Sequence, residues 1–359
     1  MTLNQKKTSA IGVMSGTSLD GLDLAYCTFE YDEKWHFELL ETTYIAYDTT
    51  WKNKLASAHL LSAEKLAALD AEFGIFIGNE INRFLTKTEQ AKPDLVCSHG
   101  HTVFHNPSKH FTVQIGSGAH ICATTETNTV SDFRSLDISL GGEGAPLVPI
   151  GDALLFPEYD GCLNLGGFSN ISFNDKGKRI AYDICPVNMA LNHLSKLLGQ
   201  EFDEGGNLAQ LGSVNSNLLA ALNRLDVYNA PTKTSLAREW FEQQFVPAIE
   251  NSDISIHDKL RTVIEHIAIQ ISNETNRNMN NGRLLITGGG TKNTLLVNRI
   301  NQLANVEVVI PSSNIIDFKE ALIFAFLGVL RINGINNVLS SVTGAKRDSC
   351  SGTVHLSIF

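Results

Sequence analysis

The chain has no apolar stretch long enough to cross a membrane. Its longest uninterrupted apolar run, residues 321–330, is about half of the roughly 20 residues that a spanning helix needs. We assign that run to the packed face of a last helix over 318–331. Residues 1–10 are polar and carry lysines, without the apolar centre of a secretory signal. These features predict a cytoplasmic protein with no membrane partner.

Excess positive charge and closely spaced cysteine pairs are also missing. The net charge is -10, from 28 basic and 38 acidic residues, which argues against nucleic acid as a partner. The six cysteines are scattered and form no Cys-x-x-Cys pair, so we expect buried thiols in a reducing compartment. With 43% hydrophobic and 18% charged residues, the 359-residue chain is typical of a globular protein of roughly two domains.

The two commonest nucleotide-binding fingerprints do not occur, since there is neither a Walker A sequence nor a Gly-x-Gly-x-x-Gly. The chain has instead three glycine turns that each follow a β-run, at residues 16–18, 166–167 and 288–290. Open backbone N–H groups in such turns can bind phosphate oxygens. One such turn alone is more often an ordinary hairpin. Three in order favour a nucleotide site.

Both halves of the chain begin with the same pattern of β-runs and turns. Apolar runs over 10–14, 22–30 and 36–47 open the first half, and the second half repeats them. The repeated runs are 162–165, 171–173 and 179–184. The repetition predicts a duplicated α/β unit.

Helices and further strands alternate after each opening. Apolar spacings of three and four predict helices over 66–84 and 260–271. Loops at one end of each sheet would then face each other across a central cleft. Glycines at 141–146 suit a crossover between the halves. The predicted domains are 1–140, rejoined by about 340–359, and 141–339.

The order of the three glycine turns resembles the actin/Hsp70/hexokinase superfamily. The amino-acid sequences of the motifs resemble those of one family within it, the anhydro-N-acetylmuramic acid kinases. The matching segments run in order through nearly the whole chain, at residues 12–23, 132–134, 137–138, 140–149, 163–167, 288–290, 320–321 and 341–345. The resemblance implies the α/β fold class with two ribonuclease-H-like domains of the actin/hexokinase type facing a central cleft.

The resemblance also implies a reaction. Members of that family use ATP with a divalent cation, here Mg2+, to open the ring of 1,6-anhydro-N-acetylmuramic acid with water and phosphorylate O6. Water attacks the anomeric carbon opposite the departing O6, and the γ-phosphoryl group replaces the usual proton donor. The product, N-acetylmuramate 6-phosphate, enters cell-wall recycling. The small-molecule partner is therefore an amino sugar.

The general base of that reaction falls on Asp183, which ends the third strand of the second half. From the residues alone, a helix N-cap or a buried turn carboxylate is the more common role for such an aspartate. The predicted nucleotide-binding residues are Gly16, Thr17, Ser18, Leu19, Asp20, Gly21, Leu22, Asp23, Gly166, Gly167, Gly288, Gly289 and Gly290.

The candidate sugar-binding residues are His99, Arg134 and Glu320. The planar fork of Arg134 suits a lactyl carboxylate, with an ion pair to Asp132 or Asp137 as the alternative. Glu320 can face the sugar or simply favour a helix dipole.

Asp20 or Asp23 would hold Mg2+ through waters, and the sequence does not say which. Four nearby histidines could suggest zinc, but no cysteine or carboxylate completes a ligand set beside them: His99, His101, His105 and His110.

Three segments depart from the family pattern, at 99–102, 184–188 and 234–239. They leave open a kinase for another sugar. A non-catalytic ATP-gated binding protein of the actin/Hsp70 type also stays open, and so does a homodimer.

Overall fold

The computed structural model describes residues 7–16, 18–229, 236–279 and 281–357. The chain divides into two compact units. The first comprises Met1–Phe156 and Phe318–Phe359, and the second Pro157–Asp317. This division lies after the predicted boundary at residue 140 and before the predicted return at about 340.

The strands form one sheet in each unit and a separate hairpin in the first. They are β1 (Thr8–Ser15), β2 (Gly21–Tyr31), β3 (Trp35–Ala46), β4 (Leu95–Ser98), β5 (His101–Asn106), β6 (Phe111–Ile115), β7 (Thr129–Ser131), β8 (Gly161–Leu165), β9 (Phe168–Asp175), β10 (Lys178–Pro186), β11 (Arg283–Thr287), β12 (Glu307–Val309) and β13 (Thr353–His355).

The α-helices flank these sheets. They are α1 (Thr49–Ala56), α2 (Ala63–Thr88), α3 (Gly118–Thr125), α4 (Ser135–Ser139), α5 (Val148–Leu155), α6 (Asn188–Lys196), α7 (Asn207–Gln210), α8 (Ser216–Asn223), α9 (Asp226–Asn229), α10 (Arg238–Trp240), α11 (Val246–Glu250), α12 (Ile256–Asn278), α13 (Thr294–Leu303), α14 (Ser313–Ile332) and α15 (Ser340–Thr343).

The two sheets share a common core topology, to which the first adds the antiparallel edge strand β13. In the first unit the order is β13-β7-β4-β1-β2-β3, and in the second it is β10-β9-β8-β11-β12. Each sheet has an antiparallel meander of three strands, followed by parallel strands beside the first strand of the meander. This is the ribonuclease-H-like arrangement, so the predicted duplicated α/β fold is confirmed. The predicted cleft between the halves stays a prediction.

Successive side chains of β1 point to opposite faces of the first sheet. Ile11 and Val13 pack in one apolar cluster with Phe73 of α2. Gly12 faces the other way, where a Cβ would overlap the backbone carbonyl of Ala321 in α14. The apolar run in α14 is therefore a buried layer of the first unit, as predicted, although its helix begins earlier than residue 318.

The predicted crossover at residues 141–146 belongs to the first unit. The amide of Gly144 donates to Asp137 Oδ2 at 2.8 Å, and Thr343 Oγ1 donates to Asp137 Oδ1 at 2.8 Å. Asp137 is buried and thereby ties this glycine-rich loop to α15 near the chain's end. The division consequently falls beyond α5, which packs against β3.

The cysteines are mostly buried, as the composition led us to expect. Five cysteines are buried and Cys350 is half-buried. Across the ranges that the structure describes, none of the helices has the combination of length and apolarity that crossing a membrane requires.

The core of the second unit contains a buried histidine, His266 on α12. Its Nδ1 lies 2.6 Å from Asn223 Oδ1, and its Nε2 lies 3.0 Å from the hydroxyl of Tyr228. Asn223 Oδ1 can only accept, so Nδ1 carries the proton and Nε2 accepts from the tyrosine. Burial lowers the pKa of His266 from 6.5 to about 3.

We expect this histidine to make the second unit sensitive to acid. The native state binds fewer protons than the unfolded state below pH 6.5, so stability falls as the pH drops from 6.5 towards 3, by about 1.4 kcal/mol per pH unit. Hydrogen exchange of the α12 amides, measured in denaturant at pH 7 and pH 5, tests this. A His266→Gln variant should show a shallower pH dependence, and equal slopes would contradict the assignment.

Candidate functional site

The first glycine turn joins β1 to β2 between Ser15 and Gly21. Ser18 and Asp20 are exposed, and Leu19 adopts a left-handed backbone with φ 61°. Thr17 lies outside the described residues. The exposed residues at the tip of this turn are available to a ligand.

The end of the predicted nucleotide motif has a different role. Leu22 is fully buried in the apolar cluster of the first unit. A Cβ at Gly21 would overlap the carbonyl of Ile45 on β3, so this glycine permits close packing of β2 and β3. Asp23 is half-buried and pairs in register with Met14 and Tyr44. Leu22 can therefore contact a ligand only through its backbone.

The second glycine turn is tied to the start of α6. The carbonyl of Gly167 accepts from the amide of Val187 at 2.8 Å, and the carbonyl of Gly166 accepts from the amide of Asn188 at 3.1 Å. The side chain of Asn188 donates to the carbonyl of Leu165 at 3.1 Å. Turn and helix N-terminus thus form one hydrogen-bonded corner.

The third glycine turn lies against that corner. Thr287, the last residue of β11, is in register with Asn164 of β8. Gly288 has φ 86°, and a Cβ there would overlap Asn164 Oδ1. A Cβ on Gly290 would lie 2.7 Å from that of Leu165. The structure therefore brings together the two turns that the sequence placed in the second half, and the close approach requires glycine at 288.

Three polar side chains form a row beside these turns. Asn164 is opposite Asn170 across β8 and β9, and Asn170 is opposite Asp183 across β9 and β10. Directly opposed residues of antiparallel strands point to the same face. Asn170 is exposed, and Asp183 is half-buried.

The strand is irregular immediately after Asp183. The register between β9 and β10 shifts between Asp183 and Cys185, where the hydroxyl of Ser169 accepts from the Cys185 amide at 3.3 Å. Such bulges re-aim neighbouring side chains and occur often beside active sites. Asp183 thus sits on a strand, and it is not a helix N-cap.

The Asp183 carboxylate has one oxygen held by the backbone. The amide of Leu236 donates to Oδ2 at 2.8 Å. Among the described residues, Oδ1 has no hydrogen-bond partner. Burial raises the pKa of Asp183 above its ordinary value, and the Leu236 amide partly opposes this. An acceptor oxygen with no partner among the described residues is one that a water molecule could donate to.

His99 and Arg134 form a buried pair in the first unit. His99 Nδ1 lies 2.8 Å from the carbonyl of Gly100, which fixes the proton on that nitrogen. Nε2 then accepts from Arg134 Nε at 3.0 Å and from Nη2 at 2.8 Å. Arg134 Nη1 donates to the carbonyl of Gly144 at 2.6 Å. These partners replace the ion pair with Asp132 or Asp137 that was the alternative for Arg134.

Burial sets the charge states of this pair. It lowers the pKa of His99 well below the usual value, and the positive charge of Arg134 adds to the effect. Burial also lowers the pKa of Arg134 to about 10, while Glu320 opposes that shift. At neutral pH the pair is therefore a neutral imidazole and a guanidinium cation. Both His99 nitrogens are occupied, so a direct contact of His99 with sugar stays a prediction.

Glu320 lies on α14 and interacts electrostatically with Arg134. Its side chain is exposed, and the positive charges of Arg134 and Lys319 favour its ionised form. The neighbouring Lys319 is buried and ion-paired with Asp152 at 2.6 Å. Arg134 and Glu320, two of the three candidate sugar-binding residues, thus influence each other electrostatically.

Two carboxylates lie near the first turn. Asp20 and Asp23 both raise the pKa of Tyr44, which places both near its phenol. In the part of the chain that is described, no group of three or more His, Cys, Asp or Glu residues has the geometry of a metal site. A cation held by one or two carboxylates, phosphate oxygens and water needs no such group.

Asn164, Asn170 and Asn188 were not among the predicted site residues. Asn164 and Asn170 flank the second glycine turn in sequence, and Asn188 opens the helix that follows Asp183. The sequence feature that could have identified them is their position next to a glycine turn or next to the candidate base. Their roles depend on strand register, which the sequence pattern alone does not define.

Comparison with known proteins agrees with this geometry. The family model described as anhydro-N-acetylmuramic acid kinase matches residues 8–357. The chain is 34% identical to the anhydro-N-acetylmuramic acid kinase of Mannheimia succiniciproducens, covering 96% of this chain and 98% of that one. It is 33% identical to the enzyme of that name from Vibrio parahaemolyticus, covering 96% and 97%.

The similarity of this chain to solved structures is lower than its similarity to the kinases named above. The gluconate kinase of Lactobacillus acidophilus is 11% identical, with a TM-score of 0.45 and 90% of each chain covered. The full-length match to the family model and to the curated kinases carries the assignment. The chain belongs to the anhydro-N-acetylmuramic acid kinase family.

Proposed function

We propose that this protein is an ATP-dependent kinase that hydrolyses the ring of 1,6-anhydro-N-acetylmuramic acid and phosphorylates O6. The product is N-acetylmuramate 6-phosphate, and the reaction serves peptidoglycan recycling. Family membership over residues 8–357 supports the activity. The observation that carries the mechanism is the half-buried carboxylate of Asp183, with one oxygen held by the Leu236 amide and a raised pKa.

Asp183 accepts the proton of the attacking water in this proposal. The oxygen held by the Leu236 amide fixes the carboxylate, and the other oxygen faces the water. Water attacks the anomeric carbon while O6 departs towards the γ-phosphoryl group, so the C1–O6 bond breaks as the O6–P bond forms. The bond between the γ-phosphorus and the β–γ bridging oxygen breaks at the same time, and ADP is the leaving group. The carboxylate needs to be ionised when the substrate binds, so that it can accept the proton of the water.

The nucleotide residues are proposed from the glycine turns. Gly16, Ser18 and Leu19 in the first unit offer backbone amides to phosphate oxygens. In the second unit, the amides of Gly166 and Gly167 do the same, whereas the first amides of α6 donate to the carbonyls of this turn. Gly288, Gly289 and Gly290 would contact the adenosine side of ATP. Thr17 stays a prediction outside the described residues.

Mg2+ fits the carboxylates of the first turn. Asp20 is exposed at the tip of the turn, and Asp23 lies half-buried beside it. Oxygen ligands of this kind suit a hard cation that keeps several waters. When bound, Mg2+ neutralises charge on the phosphate oxygens.

The decisive experiment follows the oxygen atom. The protein is incubated with ATP and 1,6-anhydro-N-acetylmuramic acid in 18O-labelled water, and the product is analysed before its anomeric oxygen exchanges. We expect a sugar 6-phosphate with one labelled oxygen at C1. A phosphorylated sugar with an intact anhydro ring would overturn the mechanism. Turnover of other sugars alone would indicate a different substrate.

Arg134 is proposed to bind the lactyl carboxylate of the sugar. Replacing it with Gln should lower kcat/KM for the lactyl-bearing sugar by about a hundredfold, because a desolvated charge pair is lost. The affinity for ADP should stay unchanged. Most of the wild-type preference over 1,6-anhydro-N-acetylglucosamine, which has no lactyl group, should disappear. Arg83→Gln, at an exposed arginine of the same unit, is the control.

The remaining expectations follow from composition and are also proposals. We place the reaction in the cytoplasm, with no nucleic-acid or membrane partner. A homodimer is compatible with the activity, and sedimentation of the purified chain would test it.

A further inference from the structure

A buried chain of hydrogen bonds lies under the first glycine turn. Ser15, the last residue of β1, is 1% exposed. Its hydroxyl accepts from the hydroxyl of Tyr47 at 2.7 Å and lies 3.3 Å from His101 Nδ1. None of the three side chains is among the predicted site residues.

Tyr47 contacts both ends of the turn. Its hydroxyl reaches Ser15, just before the turn, and its backbone amide donates to the carbonyl of Asp20 at 3.0 Å. The ring is buried in the apolar cluster of the first unit and contacts Phe73 at a centroid distance of 6.1 Å. A rigid aromatic residue therefore spans the turn from below.

His101 contacts the start of the turn. Besides Ser15, the imidazole interacts with the backbone of Gly16. That interaction raises the pKa of His101 against the larger effect of burial, as expected when the ring donates to the Gly16 carbonyl. The ring is 4% exposed and packs edge-on against Phe73. Phe73 thus packs against both Tyr47 and His101.

We propose that Tyr47 and His101, acting through Ser15 and the backbones of Gly16 and Asp20, are positioning residues that hold the two ends of the first glycine turn in place for nucleotide binding. The turn's own described backbone bond, from the Leu19 amide to the Gly16 carbonyl, is long at 3.5 Å. The amides of Gly16 and Ser18 have no backbone partner among the described residues, so contacts from outside the turn are needed to hold them towards a ligand. The inference rests on the proposed function, since it assigns phosphate binding to this turn.

Three substitutions test the inference by isothermal titration with ADP and by steady-state kinetics. His101→Leu should weaken ADP binding and raise KM for ATP by about tenfold, because a preorganised hydrogen bond is lost. His101→Gln keeps a donor at this position and should stay within about threefold of wild type. Tyr47→Phe should weaken ADP binding by about fivefold. KM for the sugar should change little in all three.

Tyr26→Phe is a matched control for a general loss of stability. Tyr26 is buried in the same sheet, and its hydroxyl donates to the carbonyl of Ala91 at 3.1 Å, away from the turn. It should lose thermal stability comparably to Tyr47→Phe while binding ADP as wild type does. Equal losses of ADP affinity in both tyrosine variants would overturn the inference.

Two failures are distinguishable. If the wild-type protein does not bind ADP, the proposed function itself fails. If wild type binds ADP and folded His101→Leu and Tyr47→Phe bind it equally well, the positioning role alone is wrong. A combined Ser15→Ala and Tyr47→Phe variant should lose less than the sum of the single losses, because both remove the same hydrogen bond.

Discussion

Replacing Asp183 with Asn is expected to lower kcat by about a thousandfold, since a general base contributes roughly a hundred- to ten-thousandfold. Asparagine has nearly the same shape, and its amide oxygen can still accept from Leu236, so the loop contact survives. What is lost is the capacity to take a proton. ADP release measured in a coupled assay gives kcat, and calorimetry with ADP should show unchanged affinity.

Asp175→Asn supplies the comparison for this variant. Asp175 is exposed at the far end of β9 in the same sheet, so its substitution should leave turnover unchanged. Wild-type turnover in Asp183→Asn would remove Asp183 from the mechanism. Loss of ADP binding together with turnover would point to a folding defect.

The pH profile offers an independent check on Asp183. Its raised pKa means that the carboxylate becomes protonated, and inactive as a base, at a higher pH than an ordinary aspartate. We therefore expect kcat/KM to fall on the acid side, above the range in which exposed carboxylates titrate. That acid limb should vanish from the residual activity of Asp183→Asn.

The second large effect concerns the buried ion pair of Lys319 and Asp152. Their side chains are 7% and 5% exposed, and the ammonium lies 5.5 Å from the ring centroid of Phe156. Lys319→Met would leave a buried carboxylate without the lysine charge, which costs about 3–5 kcal/mol of unfolding free energy. Urea denaturation of wild type and variant measures the difference.

A second lysine–aspartate pair provides the control. Lys292 and Asp317 are 2.8 Å apart, but their side chains are 67% and 39% exposed. Lys292→Met should therefore cost at most about 1 kcal/mol. The double variant Lys319→Met with Asp152→Leu should recover most of the loss, because both charges are gone. An equal cost for both single lysine variants would contradict the role of burial.

Local patterns were sufficient to predict the repeated fold. The three opening strands of each half are apolar runs separated by glycine or polar turns, which are short-range signals. The apolar run in α14 was likewise readable as a core helix.

The crossover was misplaced for a physical reason. A glycine-rich stretch such as 141–146 is typical of a hinge, but Asp137 bonds this loop on one side and Thr343 on the other. A contact that joins residues so far apart in sequence leaves no local pattern. The boundary after α5 therefore needed the structure.

The sequence identified residues of the candidate site more successfully than it identified what each of them does. The resemblance pointed to His99 and Arg134 as sugar ligands, and the structure makes His99 the hydrogen-bond acceptor that orients Arg134. The Asn164, Asn170 and Asp183 row depends on strand register across three strands. Register is a tertiary property, so this row was not visible beforehand.

The opening motif of the chain serves two independent demands. Its exposed tip at Ser18 and Asp20 is available to a ligand, whereas Gly21 and Leu22 maintain the sheet and its interior. A descendant that no longer recognised ATP would still be selected to keep the second pair. Pattern searches that weight all these positions equally will therefore also retrieve inactive paralogues, and only the tip positions can separate them from working enzymes.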